Sequence, residues 1–184
     1  MATPNLTFIG PDARDIVYIE SSQGFPTPIF AVTTAKHSKP SLSVYRIHPS
    51  GHQKPFFTSS TSSLTGTSTV NLIDHHNLIK IKASWESLQL RREFDGPMGK
   101  LSWFPSGLGN DQKLKDKTGE VLANFKTKVD SGSGKEPRLE ILVSCDDYLV
   151  DVIVATGLTV YRGTVKEGEQ IETASEIIAS VLGG

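Results

Sequence analysis

Asp146-Asp147-Tyr148-Leu149-Val150-Asp151-Val152-Ile153-Val154-Ala155-Thr156-Gly157-Leu158-Thr159-Val160 is the stretch on which the fold turns. Propensity favours a strand, because Val, Ile and Thr abound and Gly157 weakens a helix. Two features favour a helix instead. Asp146 and Asp147 suit an N-cap and first turn, where negative charge meets the positive end of the helix dipole. The run also lacks clean alternation and is apolar almost all round after Asp151, as a helix enclosed on every side would be. The residues alone leave both readings open. They do exclude a transmembrane helix, since the segment is too short and carries Asp151, Thr156 and Thr159.

Upstream of this run the dominant period is two. Leu78 to Trp85 places Ile79, Ile81, Ala83 and Trp85 on one face and Lys80, Lys82 and Ser84 on the other. Leu88 to Phe94 repeats the pattern, with Arg91 and Glu93 on its polar side. Gln112 to Lys117 carries three lysines on one face, and Asp116-Lys117-Thr118-Gly119 supplies a hairpin turn before Val121 to Thr127. Arg138 to Ser144, Leu6 to Gly10, Ile16 to Glu20, Pro28 to Thr34 and Ser41 to His48 are further strand candidates. Nine or more short strands separated by turn residues predict a barrel or a sandwich. Two stretches interrupt them. Thr58 to Thr69 holds ten Ser or Thr in twelve residues and reads as a mobile surface loop able to accept phosphates. Asp130 to Lys135 reads as a flexible connector. Downstream of Gly163, Glu167 to Leu182 sets Ile171, Ala174, Ile178 and Val181 or Leu182 at helical spacing, with its acids in the first half. A separate C-terminal amphipathic helix over residues 163–184 is therefore expected, docked on a domain spanning 1–162.

The order of these elements resembles the tubby-like superfamily, and within it a fungal family of unknown function. Phospholipid scramblases and the plant LURP-one-related proteins are its relatives. The resemblance is carried by Arg92-Glu93-Phe94-Asp95-Gly96 and by the Trp103-containing strand Leu101-Ser102-Trp103-Phe104. The hairpin Leu114 to Phe125, and Leu139-Glu140-Ile141 leading into Tyr148 to Leu158, complete it. It implies a mostly β (α+β) fold: a closed antiparallel barrel of about twelve strands around a central apolar helix, Asp147 to Val160. A closed barrel has no free edges and its lumen must be filled. Asp151 would then need a partner or a place near the barrel mouth. Arg92, on the otherwise apolar face of its strand, is the expected partner.

Composition sharpens the functional expectation. The chain has 184 residues, 19 Lys plus Arg against 20 Asp plus Glu, a net charge of -1, and a single cysteine. Near-neutrality argues against a protein that coats nucleic acid, and one cysteine precludes an internal disulfide and suits a reducing, cytoplasmic setting. The first residues lack the basic and apolar regions of a signal peptide. The charge is unevenly placed: residues 1–79 carry +1, residues 80–138 carry +4 and residues 139–184 carry -6. In the basic segment Lys80 and Lys82 share a face, as do Lys113, Lys115 and Lys117, and Lys126 and Lys128, with Arg91 between them. On neighbouring strands these would form a patch attractive to anionic lipid headgroups, each cation adding about 1 kcal/mol near such a surface. Tubby domains bind phosphoinositides through exterior basic residues, so the resemblance implies the same ligand class. Lysine on exposed strands is also ordinary edge protection.

Other clusters carry no chemistry of their own. Asp74-His75-His76-Asn77 reads as a polar turn, since adjacent residues on an extended chain point apart and rarely share a metal. Pro49 and Gly51 preclude the helix that would align His48 with His52. Cys145 precedes two aspartates, which disfavour its thiolate. No Gly-x-Ser-x-Gly, phosphate-binding Gly loop or Cys-x-x-Cys is present. The expectation is a non-enzymatic binding domain with no metal or cofactor, partnered peripherally by an anionic membrane. The alternative is a protein-interaction scaffold acting through the C-terminal helix and the Ser/Thr-rich segment.

Overall fold

The computed structural model describes residues 6–12, 15–20, 26–35, 39–62, 64–86, 89–106, 111–131 and 134–182. Twelve strands precede one helix: β1 (Leu6–Ile9), β2 (Ile16–Ile19), β3 (Thr27–Thr34), β4 (Leu42–Ile47), β5 (Gln53–Thr61), β6 (Ser68–Leu72), β7 (Asn77–Glu86), β8 (Gln89–Gly96), β9 (Gly99–Pro105), β10 (Gln112–Asp116), β11 (Val121–Ser131), β12 (Gly134–Ile141) and α1 (Asp147–Leu182). Each strand pairs antiparallel with its chain neighbours, and β1 closes the barrel on β12, Leu6 opposite Ile141. The fold is thus mostly β with one C-terminal helix. Closure removes every sheet edge, which explains how so many short strands stay paired.

The two-residue period puts one side chain of each pair into the interior. Phe57, Val70, Leu72, Ile81, Leu101, Trp103, Leu114, Leu122 and Ile141 are almost wholly buried; Asn71, Lys80, Lys82 and Lys113 alternate outward beside them, whereas Phe56 and Ala123 are buried as well. Antiparallel alternation also assigns every connection to one of two rims. The β4–β5, β6–β7, β8–β9 and β10–β11 turns share one rim with the β12–α1 connection, called here the near rim. The β1–β2 loop lies on the far rim.

The undecided segment is helical. Asp146 caps it, its carboxylate accepting from Leu149 N–H at 2.8 Å and its carbonyl from Val150 N–H at 3.1 Å, which satisfies donors that no earlier turn can reach. From Asp151 to Val160 every residue is buried. Successive turns of α1 touch different walls. Asp151 meets Arg46 of β4, Thr156 Oγ1 accepts a 3.1 Å bond from the Trp103 indole of β9, and the Tyr161 ring stacks on Phe125 of β11. Arg162 then pairs with Asp15 in the β1–β2 loop. Gly157 sits in a crowded place: a Cβ there would lie 3.3 Å from ring carbons of both Phe125 and Trp103.

Four expectations change. First, one helix replaces two, because α1 runs through Gly163 to Leu182. An interior glycine costs only about 1 kcal/mol, and no proline interrupts the run. The side chains of the expected apolar stripe at Ile171, Ala174 and Ile178 lie outside the described residues. Second, the Ser/Thr-rich segment is a hairpin rather than a loop. Thr58–Thr61 pairs with Ser68–Asn71 within β5 and β6, and Ser59 is buried. Thr suits strands, and the ladder satisfies backbone groups whatever the side chains. Third, Asp130 and Ser131 pair with Lys135 and Gly134, so the expected connector is the tip of the β11–β12 hairpin. Residues 132–133 lie outside the described residues. Fourth, Asp151 is held by Arg46 and His75 instead of by Arg92. Arg92 is buried on the inner side of β8, in register with Trp103.

Candidate functional site

The predicted cations come from four strands, β7, β8, β10 and β11, and the β10–β11 turn, and all lie on the barrel's outside. Lys80 and Lys82 project from β7, and the alternating residues Ile79 and Ile81 are buried. Arg91 follows on β8, Lys113 and Lys115 on β10, and Lys126 and Lys128 on β11; Lys117 is exposed in the β10–β11 turn. Register links them into a row, Lys82 opposite Glu93, Glu93 opposite Ser102, and Ser102 opposite Lys115.

These cations are not equivalent. Arg91 is engaged by Glu93 at 2.9 Å and Ser84 at 3.1 Å, and Lys126 by Glu140 at 3.1 Å. Lys115 lies over the Phe104 ring, 5.4 Å from its centroid, where the negative face of the ring attracts it. Lys80, Lys82, Lys113, Lys117 and Lys128 carry no ion pair among the described residues and present their charge to solvent. Beside them the Asp116 carboxylate accepts from Thr118 Oγ1 at 2.7 Å and from the backbone of Thr118 and Glu120. The Thr118 hydroxyl above all, then these backbone donors, hold it below its ordinary value.

Sequence reasoning missed Lys100, which joins this face from β9 and is exposed. Its place beside the glycine turn Gly96–Gly99 gave no periodic signal. Lys100 helps to line a cleft of about 290 Å³ with Leu78, Ile79, Lys80, Lys82, Glu93, Phe94 and Asp95.

A second polar cluster sits at the near rim. Asp151 accepts from Arg46 Nη2 at 2.7 Å, and its other oxygen lies 3.0 Å from His75 Nε2. The His75 ring packs on Tyr148 at 4.6 Å, Asn77 donates to the Tyr148 hydroxyl, and Lys54 pairs with Asp74 at 2.6 Å. Arg46 also lies over the Phe56 ring at 4.7 Å. The polar turn expected at Asp74–Asn77 is therefore present, and it seats the first turns of α1. Arg46 was legible in principle, since it follows the inward residues Leu42 and Val44 at period two. Lys54 lowers the Asp74 carboxyl below its usual range, chiefly through its hydrogen bond.

Half-burial raises the Cys145 thiol, and Asp146 and Asp147 add to this, so a reactive thiolate is disfavoured there. Among the described residues, no group of three or more His, Cys, Asp or Glu is placed to hold a metal ion, and no helix is long and apolar enough to cross a membrane. No family model, curated protein or solved structure matches the chain.

Proposed function

We propose that the chain is a tubby-like binding domain that recognises anionic phospholipid headgroups through the outside of β7 to β11. The observation that carries this reading is the exposed set Lys80, Lys82, Lys100, Lys113 and Lys128, drawn from β7, β9, β10 and β11 and without ion pairs among the described residues. Cations in one patch act together: about 1 kcal/mol each near a negative leaflet makes several of them sufficient for reversible peripheral attachment. A net charge of -1 leaves the rest of the molecule negative, so this face alone is driven toward the membrane and the domain docks in one orientation.

In this reading the interior serves the exterior. The buried half of α1 fills the barrel lumen and holds it rigid, tied to the near rim through Asp151 and to the far rim through Arg162. The lysine rows keep their spacing because the strands that carry them cannot slide over a packed core. The same reading makes the domain a non-enzymatic binder at the cytoplasmic leaflet, acting through charge and shape.

The test is co-sedimentation of the purified protein with vesicles at low salt. Recovery should be higher on phosphatidylcholine vesicles that contain phosphatidylserine or phosphoinositide than on phosphatidylcholine alone, and should fall as salt is raised. Equal recovery on neutral and anionic vesicles overturns the proposal.

A further inference from the structure

The barrel wall is not uniformly laced. Between β7 and β8 the ladder runs from Glu86 opposite Gln89 to Lys82 opposite Glu93 and stops there, although β7 continues back to Asn77 and β8 onward to Gly96. The 290 Å³ cleft lies where the pairing ends. Ile79 and Phe94, whose side chains are buried toward the barrel interior, close its base, and most of its lining is polar. Its sides differ in sign: Lys80 and Lys82 stand on β7 and Lys100 on β9, whereas Asp95 stands on β8 between them and is exposed.

We propose that this cleft seats the headgroup of an aminophospholipid, with phosphatidylserine the best fit; the proposal rests on the membrane-binding reading above. A phosphate diester and a carboxylate suit the three lysines, and the headgroup ammonium suits Asp95. Glu93 is already engaged by Arg91, whereas Asp95 carries no ion pair among the described residues. A site for anions in general would gain nothing from a carboxylate among its lysines, so Asp95 is the residue that turns charge attraction into selection for an ammonium. The source is a lipid and not a free phosphoserine, because the cleft has an apolar lip toward the near rim. Leu78 is 56% exposed, and Met98, 46% exposed, occupies the β8–β9 turn beyond Gly96. Such side chains gain by entering the glycerol region of a bilayer while the lysines remain at headgroup level.

The experiment compares vesicles of phosphatidylcholine mixed with phosphatidylserine or, at equal surface charge, with phosphatidylglycerol, which lacks the ammonium. Wild-type protein should bind the serine lipid at least about fivefold more tightly. Asp95→Asn should abolish that preference while leaving binding to phosphatidylglycerol undiminished, and Leu78→Ser with Met98→Ser should weaken binding to both. Equal affinity for the two anionic mixtures, or a preference that survives Asp95→Asn, overturns the cleft assignment and leaves the broader membrane reading standing. Failure to bind either mixture above phosphatidylcholine alone overturns both.

Discussion

Replacing Asp151 by Asn removes a charge from a site that the protein has closed around it. The Asp151 side chain is 11% exposed, against 36% for Arg46 and 31% for His75. Breaking a fully buried pair by removing one member costs about 3–5 kcal/mol, because the other charge is left stranded. Here the stranded group is Arg46, about one-third exposed, so water recovers part of its solvation. Asn also keeps an amide oxygen to accept from Arg46. The expected loss is therefore smaller, about 2 kcal/mol, or about 4–8 °C in Tm for a domain of this size. Urea unfolding followed by far-ultraviolet circular dichroism measures it, with Arg46→Gln and the double variant completing a cycle. The double variant should be less destabilised than the sum of the singles by about 1 kcal/mol or more. A loss under about 0.5 kcal/mol in Asp151→Asn, or strict additivity in the cycle, would refute the claim that this pair fastens the start of α1 to the rim.

Thr156→Val keeps the shape of the side chain but leaves the Trp103 indole N–H buried without its acceptor, and should cost about 1–3 kcal/mol in the same urea assay; Thr156→Ser should recover most of it. Gly157→Ala sets a helix-propensity gain of about 1 kcal/mol against crowding at 3.3 Å and should be near neutral. Gly157→Val, which must displace Phe125 or Trp103, should lose about 2–3 kcal/mol. Asp116 titrates low because the folded turn donates to its charged form. A depressed folded pKa contributes stability above the unfolded value of about 4 that is lost as pH falls through the folded value. Thr118→Ala should therefore move the Asp116 carboxyl titration upward toward that value, as followed by carbon-detected NMR, and an unmoved titration contradicts the assignment.

The strands were legible wherever one face is wet, because alternation between core and water is written directly into the residue order. Leu78 to Trp85 and Arg138 to Ser144 are of this kind. Gln53–Thr61 was not, since its outer and inner residues are both Ser and Thr near its end and carry no contrast. Its partner across the turn supplies the signal instead, as Val70 and Leu72 are wholly buried. Residues 147–160 were ambiguous for the opposite reason. Burial on every side erases periodicity, and only the capping aspartate marks the direction the chain takes. The lysine face could be proposed from sequence because period two assigns each lysine a side of its strand. Lys100 and Asp95 could not be joined to it, since they face each other across the β8–β9 hairpin and reach the β7 lysines only where the β7–β8 ladder stops.

That last point bears on how the two polar regions divide their labour. The near-rim cluster spends its charges inward: Asp151 is used by Arg46 and His75, Asp74 by Lys54, and Tyr148 by Asn77. Each contact joins α1 or one turn to another part of the rim, so their removal should be read in stability. The lysines of β7, β9 and β10 are arranged the opposite way, with few internal partners on strands whose inner faces are fully packed. Neutralising any one of them leaves the core untouched and the exposed backbone paired, so surface substitutions there should shift unfolding by less than about 0.5 kcal/mol. Stability and binding are thus carried by different residues of the same wall. Loss of vesicle binding by Lys80→Gln or Lys100→Gln at unchanged Tm is the pattern this separation requires, whereas coupled loss of both would place those lysines in the structural set.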